Sequence, residues 1–258
     1  SEGAERHMGQ LDGKTALVTG ASTGIGLATA RRFVAEGARV YITGRRESEL
    51  GAAAQALGQN AVPVRSDVSD PKALDQLFEV VAAGGTGLDV VFANAGGGDL
   101  ATIDEITPES FDHTFGINVK GTVFTVQKAL PLLNAGATIV VTGSTSAHRG
   151  IPGFGEYSAS KAALRQFVRV WAAELAPRGV RVNTIVPGPT DTPGLRGIAP
   201  DEASVASLLQ QQASATTLGR LGDPDEIAAG VLFLATSQSS FVTGSELFVD
   251  GGEVQTFS

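Results

Sequence analysis

The 258-residue chain has no cysteine, only three histidines (His7, His113 and His148) and no long apolar run. Without cysteine there is neither a disulfide nor a thiolate metal site, and three scattered histidines do not build a zinc site. The longest uncharged apolar run, residues 227–235, falls far short of the ~20 residues of a membrane-spanning helix. Clustered positive charge is missing too, since Lys+Arg number 19 against 27 Asp+Glu, a formal net charge of −8. A nucleic-acid surface needs a basic patch to neutralise phosphate, so the balance argues against that partner. Residues 1–10 lack the apolar stretch of a signal peptide, and Arg6-His7-Met8 reads as an expression scar or disordered leader before the natural start. The expectation is a metal-free cytoplasmic protein that works on small molecules, in one large domain or two small ones.

What is present is alternation. Short β-branched runs at residues 15–18, 39–43, 61–64, 88–93, 138–142, 181–186 and 246–249 alternate with helical patterns, with no internal repeat and no Pro/Ser linker. This order predicts an α/β fold: a Rossmann-like, doubly wound parallel sheet of about seven strands, helices on both faces, in one domain over 11–258. Helices are expected at 27–36, from the Ser69-Asp70-Pro71 cap, from Thr107-Pro108 to about residue 133, at 157–176, and after the Asp223-Pro224 cap. Residues 193–221 read as loop-rich with one helical stretch around 203–212, a placement that suits a substrate lid.

Chemistry-bearing residues sit where strands end. The first strand runs into Thr19-Gly20-Ala21-Ser22-Thr23-Gly24-Ile25-Gly26 and then a helix. Glycines there let the backbone approach an anion, and the free N–H groups and dipole of the helix start favour negative charge, so the turn is a phosphate cradle. About twenty residues on, the second strand ends in Gly44-Arg45-Arg46. Dinucleotide sites place an acidic residue here for the adenosine ribose, or an arginine for a 2′-phosphate. The cofactor expected is therefore NADP(H) rather than NAD(H), with Arg45 first and Arg46 second as its phosphate ligands. Far downstream, Tyr157 and Lys161 are four residues apart and share a helix face. A phenol ordinarily titrates near pH 10, and a nearby cation favours its ionised form, so Tyr157 is expected to exchange protons at working pH.

The pairing of Thr-Gly-x-x-x-Gly-x-Gly with a distant Tyr-x-x-x-Lys resembles the short-chain dehydrogenase/reductase family, over nearly the whole chain. The resemblance implies reversible hydride transfer between NADP(H) and a ketone or secondary alcohol, with Tyr157 as the acid-base. Ser144, thirteen residues before Tyr157 and chosen over Ser146, would hold the substrate oxygen. Lys161 would lower the phenol pKa and bind the nicotinamide ribose. Asn118 would sit at a helical distortion and anchor a water in the proton path. Asp67, followed by Val68, would meet the adenine. Asn94-Ala95-Gly96 matches an element beside the cofactor, and Pro187-Gly188 with Thr190 one on the nicotinamide side, with Thr192 meeting its carboxamide or the phosphates. The sequence departs from the family at Ala93, where an Asn is frequent, and at Thr23, where NADP users often carry a basic residue. Frequent homotetramers in the family give the apolar helix around Phe167 and Trp171 a use as an interface, although a core Trp171 explains it equally. Gly96-Gly97-Gly98, His148 and Phe154 either meet substrate or serve their own loops. Two rival functions remain open: reduction of a β-ketoacyl thioester, and a dinucleotide-binding redox sensor or scaffold without turnover.

Overall fold

A computed structural model of the protein describes residues 9–256, so Arg6-His7-Met8 lies outside the described residues. Seven strands, β1 (Thr15–Val18), β2 (Arg39–Gly44), β3 (Ala61–Arg65), β4 (Leu88–Ala93), β5 (Leu133–Thr142), β6 (Arg181–Pro187) and β7 (Glu246–Val249), form one sheet. Its order is β3-β2-β1-β4-β5-β6-β7 and every pairing is parallel. The helices are α1 (Gly24–Ala35), α2 (Glu47–Leu57), α3 (Pro71–Ala83), α4 (Pro108–Phe115), α5 (Thr122–Ala129), α6 (Gly155–Leu175), α7 (Pro193–Arg196), α8 (Val205–Ser214) and α9 (Pro224–Ala235).

The two-residue period of the strands divides the core. Leu17, Tyr41, Val91 and Ile139 face one side and pack with Leu74 and Leu77 of α3, Val126 of α5, and Leu164 and Val168 of α6. Their neighbours Val18, Ile42, Val90, Phe92 and Val140 face the other, with Phe33 of α1, Leu50 of α2, and Ile227 and Val231 of α9. A sheet covered on both faces needs apolar side chains in both directions, which is why its strands read as unbroken apolar runs. The chain steps outward from β1 to β2 and β3, then returns to the far side of β1 for β4. Strand order therefore reverses between β1 and β4, and a crevice opens at their carboxyl ends.

One expectation that holds and two departures matter for the site. The helix from Thr107-Pro108 carries the distortion expected at Asn118: α4 passes through a π-helical turn, Gly116–Gly121, into α5, and a short 3-10 turn containing Pro131 ends it. Glycine and asparagine weaken the regular ladder, and a proline cannot extend it. Gly121 also packs so closely on Val68 that a Cβ there would lie 2.7 Å from the valine Cγ2. Strand β5 starts at Leu133 rather than 138, paired with Leu88, and its register shifts before Val90 meets Thr138. Third, residues 193–221 hold more helix than expected, because Thr192 caps α7 by accepting from the Leu195 N–H and Asp201 starts a further turn by accepting from that of Ser204. Among the described residues no helix is long and apolar enough to cross a membrane.

Candidate active site

The crevice is a cavity of about 650 Å³ over the carboxyl ends of the central strands. Asn94 ties its floor together. Its Nδ2 donates to the carbonyls of Thr19 and Gly20, its Oδ1 accepts from the Thr142 hydroxyl at 3.1 Å, and its N–H, like that of Ala95, donates to Thr19 Oγ1 at 3.0 Å. The ends of β1, β4 and β5 are thereby held in one geometry. Asn94 is expected from the sequence beside the cofactor; the structure gives its amide the work of fastening that wall.

The glycine turn is bent over this floor. Gly20 and Gly24 have φ of +63° and +56°, where a side chain is strained, and α1 begins at Gly24 inside the turn rather than at 27. A Cβ on Gly26 would stand 2.1 Å from the Gly20 carbonyl oxygen, so helix and turn touch backbone to backbone. The arrangement fits a pyrophosphate: open N–H groups at a helix start, with no side chain in between. We expect Gly26→Ala to lose about 1–3 kcal/mol of stability. A thermal melt should show this as a lower Tm, together with a weakened rise of Tm on adding NADPH; unchanged melts with and without cofactor would remove the steric account.

At one end of the cavity lie Arg45, Arg46, Asp67 and Val68. Arg46 is engaged with Glu49 at 2.5 Å, whereas Arg45 has no acidic partner among the described residues, and its backbone carbonyl accepts from Arg65 Nε. A Cβ on Gly44 would lie 2.1 Å from Ser22 Oγ, so a side chain there would first have to turn that hydroxyl aside. Asp67 uses Oδ1 to hold the Ser69 N–H and hydroxyl, which fixes the turn into α3.

Toward the other end stand Ser144, Tyr157 and Lys161. Helix α6 starts at Gly155, two residues before Tyr157, and its buried stripe of Ser160, Lys161, Leu164, Val168, Ala172 and Leu175 turns Lys161 in against the sheet. There Nζ donates to the Thr142 carbonyl at 2.9 Å and stands 5.7 Å from the centre of the Tyr157 ring. Ser144 Oγ accepts from both the N–H and the hydroxyl of Ser146, at 3.2 and 2.9 Å. With its lone pairs so occupied, its own O–H is left to donate, and it is directed at the Tyr157 oxygen, where a substrate oxygen would also lie. Ser146, the rival by sequence, therefore supports the serine it competed with.

The expected direction of the Tyr157 shift needs correction. Burial pushes the Tyr157 phenol above its ordinary value, and the Ser144 hydroxyl, which pulls it down, is the weaker influence. Burial also lowers Lys161 to about 8. Desolvation outweighs the one hydrogen bond that favours the phenolate, so the surroundings favour the neutral phenol.

Asn118 lies buried in the π-helical turn and does not line the cavity. Its Oδ1 accepts from the Gly97 N–H at 2.9 Å and its Nδ2 donates to Ser160 Oγ at 2.8 Å, while Ser160 Oγ donates to the Tyr157 carbonyl at 2.7 Å. The side chain joins the glycine corner to α6. His148 points away from the site: Nε2 meets Glu246 at 3.0 Å and the ring packs edge-on to Phe248. Phe154 does line the cavity and meets the Tyr157 ring at 79°.

Gly20, Ser22, Thr23, Gly24, Ile25, Ala95, Gly96, Pro187, Gly188, Thr190 and Thr192 all border the same cavity, and Gly26 lies directly behind the turn. The sequence did not single out Leu195, Ile198, Gln212 or Glu253, which also border it. They belong to none of the strand-end motifs, and only the folding back of the 193–221 segment and of the segment after β7 brings them near.

Comparison with known proteins agrees with this fold. A family model described as enoyl-(acyl carrier protein) reductase matches residues 20–253. An oxidoreductase of Sarocladium schorii is 45% identical over 95% of this chain and 98% of its own. A sorbitol dehydrogenase of Cereibacter sphaeroides is 34% identical over 94% and 98%. The crystal structure of a Brucella melitensis short-chain dehydrogenase/reductase, described as glucose/ribitol dehydrogenase, superposes with a TM-score of 0.90 at 30% identity, covering 96% of this chain and 99% of that one.

Proposed function

The chain belongs to the short-chain dehydrogenase/reductase family, and we propose that it interconverts a free ketone and a secondary alcohol with NADP(H). The observation that carries this reading is the convergence of Ser144, Tyr157 and Lys161 on one wall of the cavity whose floor is the glycine turn and whose far end holds Arg45. NADP(H), when bound, supplies or accepts the hydride.

The residues do the rest. In reduction, Tyr157 gives its phenolic proton to the carbonyl oxygen as that oxygen gains charge, and Ser144 donates a hydrogen bond to the same atom. Burial favours the neutral phenol, which is the form a proton donor needs. Lys161 compensates the phenolate left behind and binds the nicotinamide ribose. Asn118 holds the loop at Gly97 against α6 so that these groups keep their spacing, and the irregular backbone around it is the place for a water that returns the proton. Asp67 and Val68 take the adenine end, Pro187 to Thr190 and Thr192 the nicotinamide end. Residues 193–221 act as a lid, and the protein works in the cytosol as a homotetramer. For the last point, α6 carries exposed Phe167 and Val170 beside Trp171, whose ring stacks on Phe167 at 5.3 Å and is only half-buried.

The test is the loss of NADPH absorbance with free ketones, sugars and acyl thioesters. Turnover confined to thioesters would move the substrate class, and no turnover across the panel would leave a sensor or scaffold. For the cofactor, Arg45→Ala should lower kcat/KM for NADPH about ten- to hundredfold, the worth of one charge-assisted hydrogen bond, and leave that for NADH unchanged. Equal losses with both cofactors would remove Arg45 from the 2′-phosphate.

A further inference from the structure

The wall beside Tyr157 and Lys161 is built from two segments, and neither presents a charge to the cavity. The first leaves the floor at Gly96, where a Cβ would lie 3.1 Å from Lys161 Nζ. The Gly97 N–H donates to Asn118 Oδ1 at 2.9 Å, and Gly98 lies against Thr114, whose Cγ2 would stand 2.9 Å from a Cβ there. Asp99, the charged residue of this segment, does not border the cavity, and its carboxylate stands 3.4 Å from His113 Nδ1. Leu100 does border it. The second segment turns at Ile151, whose carbonyl accepts from the Phe154 N–H at 3.1 Å, and carries the Phe154 ring edge-on to Tyr157. The Ala101 N–H donates to the Gly153 carbonyl at 2.9 Å and Ala101 bridges to Phe154, so Leu100, Ile151 and Phe154 form one surface.

The charged side chains that border the cavity are either remote from this wall or engaged. Arg45, Arg46 and Asp67 lie at the other end, and Lys161 Nζ is bonded to the Thr142 carbonyl. Glu253 has Oε1 on Arg149 and Oε2 buried, so neither oxygen is offered to the cavity. Leu100, and Ile198 after α7, are large apolar side chains left exposed at the cavity, a surface that gains by being covered. Gly97 borders the cavity as well, and a Cβ on it would meet nothing within 4 Å, so there is room for bulk next to the reacting groups.

From this surface, and resting on the carbonyl-reductase reading above, we infer that the substrate is an uncharged ketone or alcohol with an apolar ring or branched chain next to the reacting carbon, rather than a sugar or a keto acid. The oxygen meets Ser144 and Tyr157, and the apolar group lies on Leu100, Ile151 and Phe154 with its bulk at Gly97. Covering those side chains favours binding in proportion to the area taken from water. A hydroxyl or carboxylate brought to the same place gives up its hydration and finds no side-chain partner, a cost that is largest for a charge.

The experiment compares four ketones by NADPH absorbance: acetone, cyclohexyl methyl ketone, the same ring bearing a carboxylate opposite the acetyl group, and dihydroxyacetone as the smallest ketose. The wild type should favour the plain ring over acetone by roughly ten- to hundredfold in kcat/KM, the worth of burying an apolar group the size of a side chain. The carboxylate should cancel that gain, and dihydroxyacetone should not exceed acetone. Gly97→Val fills the room beside the carbonyl and keeps the N–H that bonds Asn118, so it should cut the ring-to-acetone ratio by about tenfold or more. Leu100→Ser removes apolar surface from the wall and should lower the same ratio about fivefold. NADPH binding by fluorescence checks that each variant is folded, and the serine variant, at an exposed position, decides the matter if the valine variant is not. No preference for the ring, turnover of the carboxylated ring or dihydroxyacetone that equals or exceeds that of the plain ring, or a ring preference that both substitutions leave intact, overturns the apolar wall and leaves the carbonyl-reductase reading standing. No turnover with any of the ketones removes both.

Discussion

Tyr157→Phe should bind NADPH as the wild type does and reduce ketones roughly 10²–10⁴-fold more slowly, the usual worth of a positioned general acid. The substitution removes one oxygen and keeps the ring, so the edge-on contact with Phe154 and the face presented to Lys161 survive. Nothing in the glycine turn or at Arg45 depends on the hydroxyl. Affinity for NADPH, read by fluorescence, should therefore stay within about twofold, since no charge-assisted bond to the cofactor is lost. The loss should fall on kcat, because the proton transfer belongs to the transition state and not to ground-state binding. A phenylalanine variant with near-normal turnover would transfer the proton role to another group, and Ser144 is the hydroxyl in place to take it. If kcat survived while NADPH affinity collapsed, Tyr157 would be a cofactor ligand only.

Much of the scaffold behind this prediction was legible in the chain. Strand positions 15–18, 88–93 and 246–249 match β1, β4 and β7, because an apolar β-branched run flanked by turn residues has few other uses in a two-sided sheet. The glycine turn and the Tyr-Lys spacing were equally readable, since both are local patterns in which a backbone geometry or a helix face fixes the separation. Three kinds of information were not local. The resemblance put a distortion at Asn118, but what holds the break at Gly116–Gly121 open, Gly121 meeting Val68 from another element, is not local. The direction of the Tyr157 shift needed the surroundings of the phenol, because a cation four residues away in sequence says nothing about how much water both groups lose. Glu253 was invisible as a site residue because its approach to the cavity depends on where the carboxyl-terminal segment folds after β7.

The buried lysine yields a prediction whose sign differs between activity and stability. Lys161 in the free protein titrates at about 8, because burial disfavours its charged form. On kcat/KM for NADPH, which reports groups in the free protein, activity should be flat below about pH 8. Above it, activity should fall about tenfold per pH unit, as the ammonium proposed to meet the ribose is lost. Lys161→Met should be slow throughout and lack this limb. Stability runs the other way. Between the folded value near 8 and the ordinary lysine value of 10.5, the unfolded chain binds the proton and the folded one does not. The contribution of Lys161 to stability is thus fully present above the unfolded pKa and lost as pH falls through the folded one. The methionine variant has no charge to bury, although it leaves the Thr142 carbonyl without its donor. Its stability relative to wild type should therefore improve as pH falls from above 10 to 7, measured by thermal melts without cofactor. A lysine that costs stability at the pH where it is useful marks a group kept for chemistry, since a packing residue gains nothing from being charged. If the relative stability of the two proteins did not change with pH, burial would not be what tunes Lys161, and the fall in activity above pH 8 would have to come from another group.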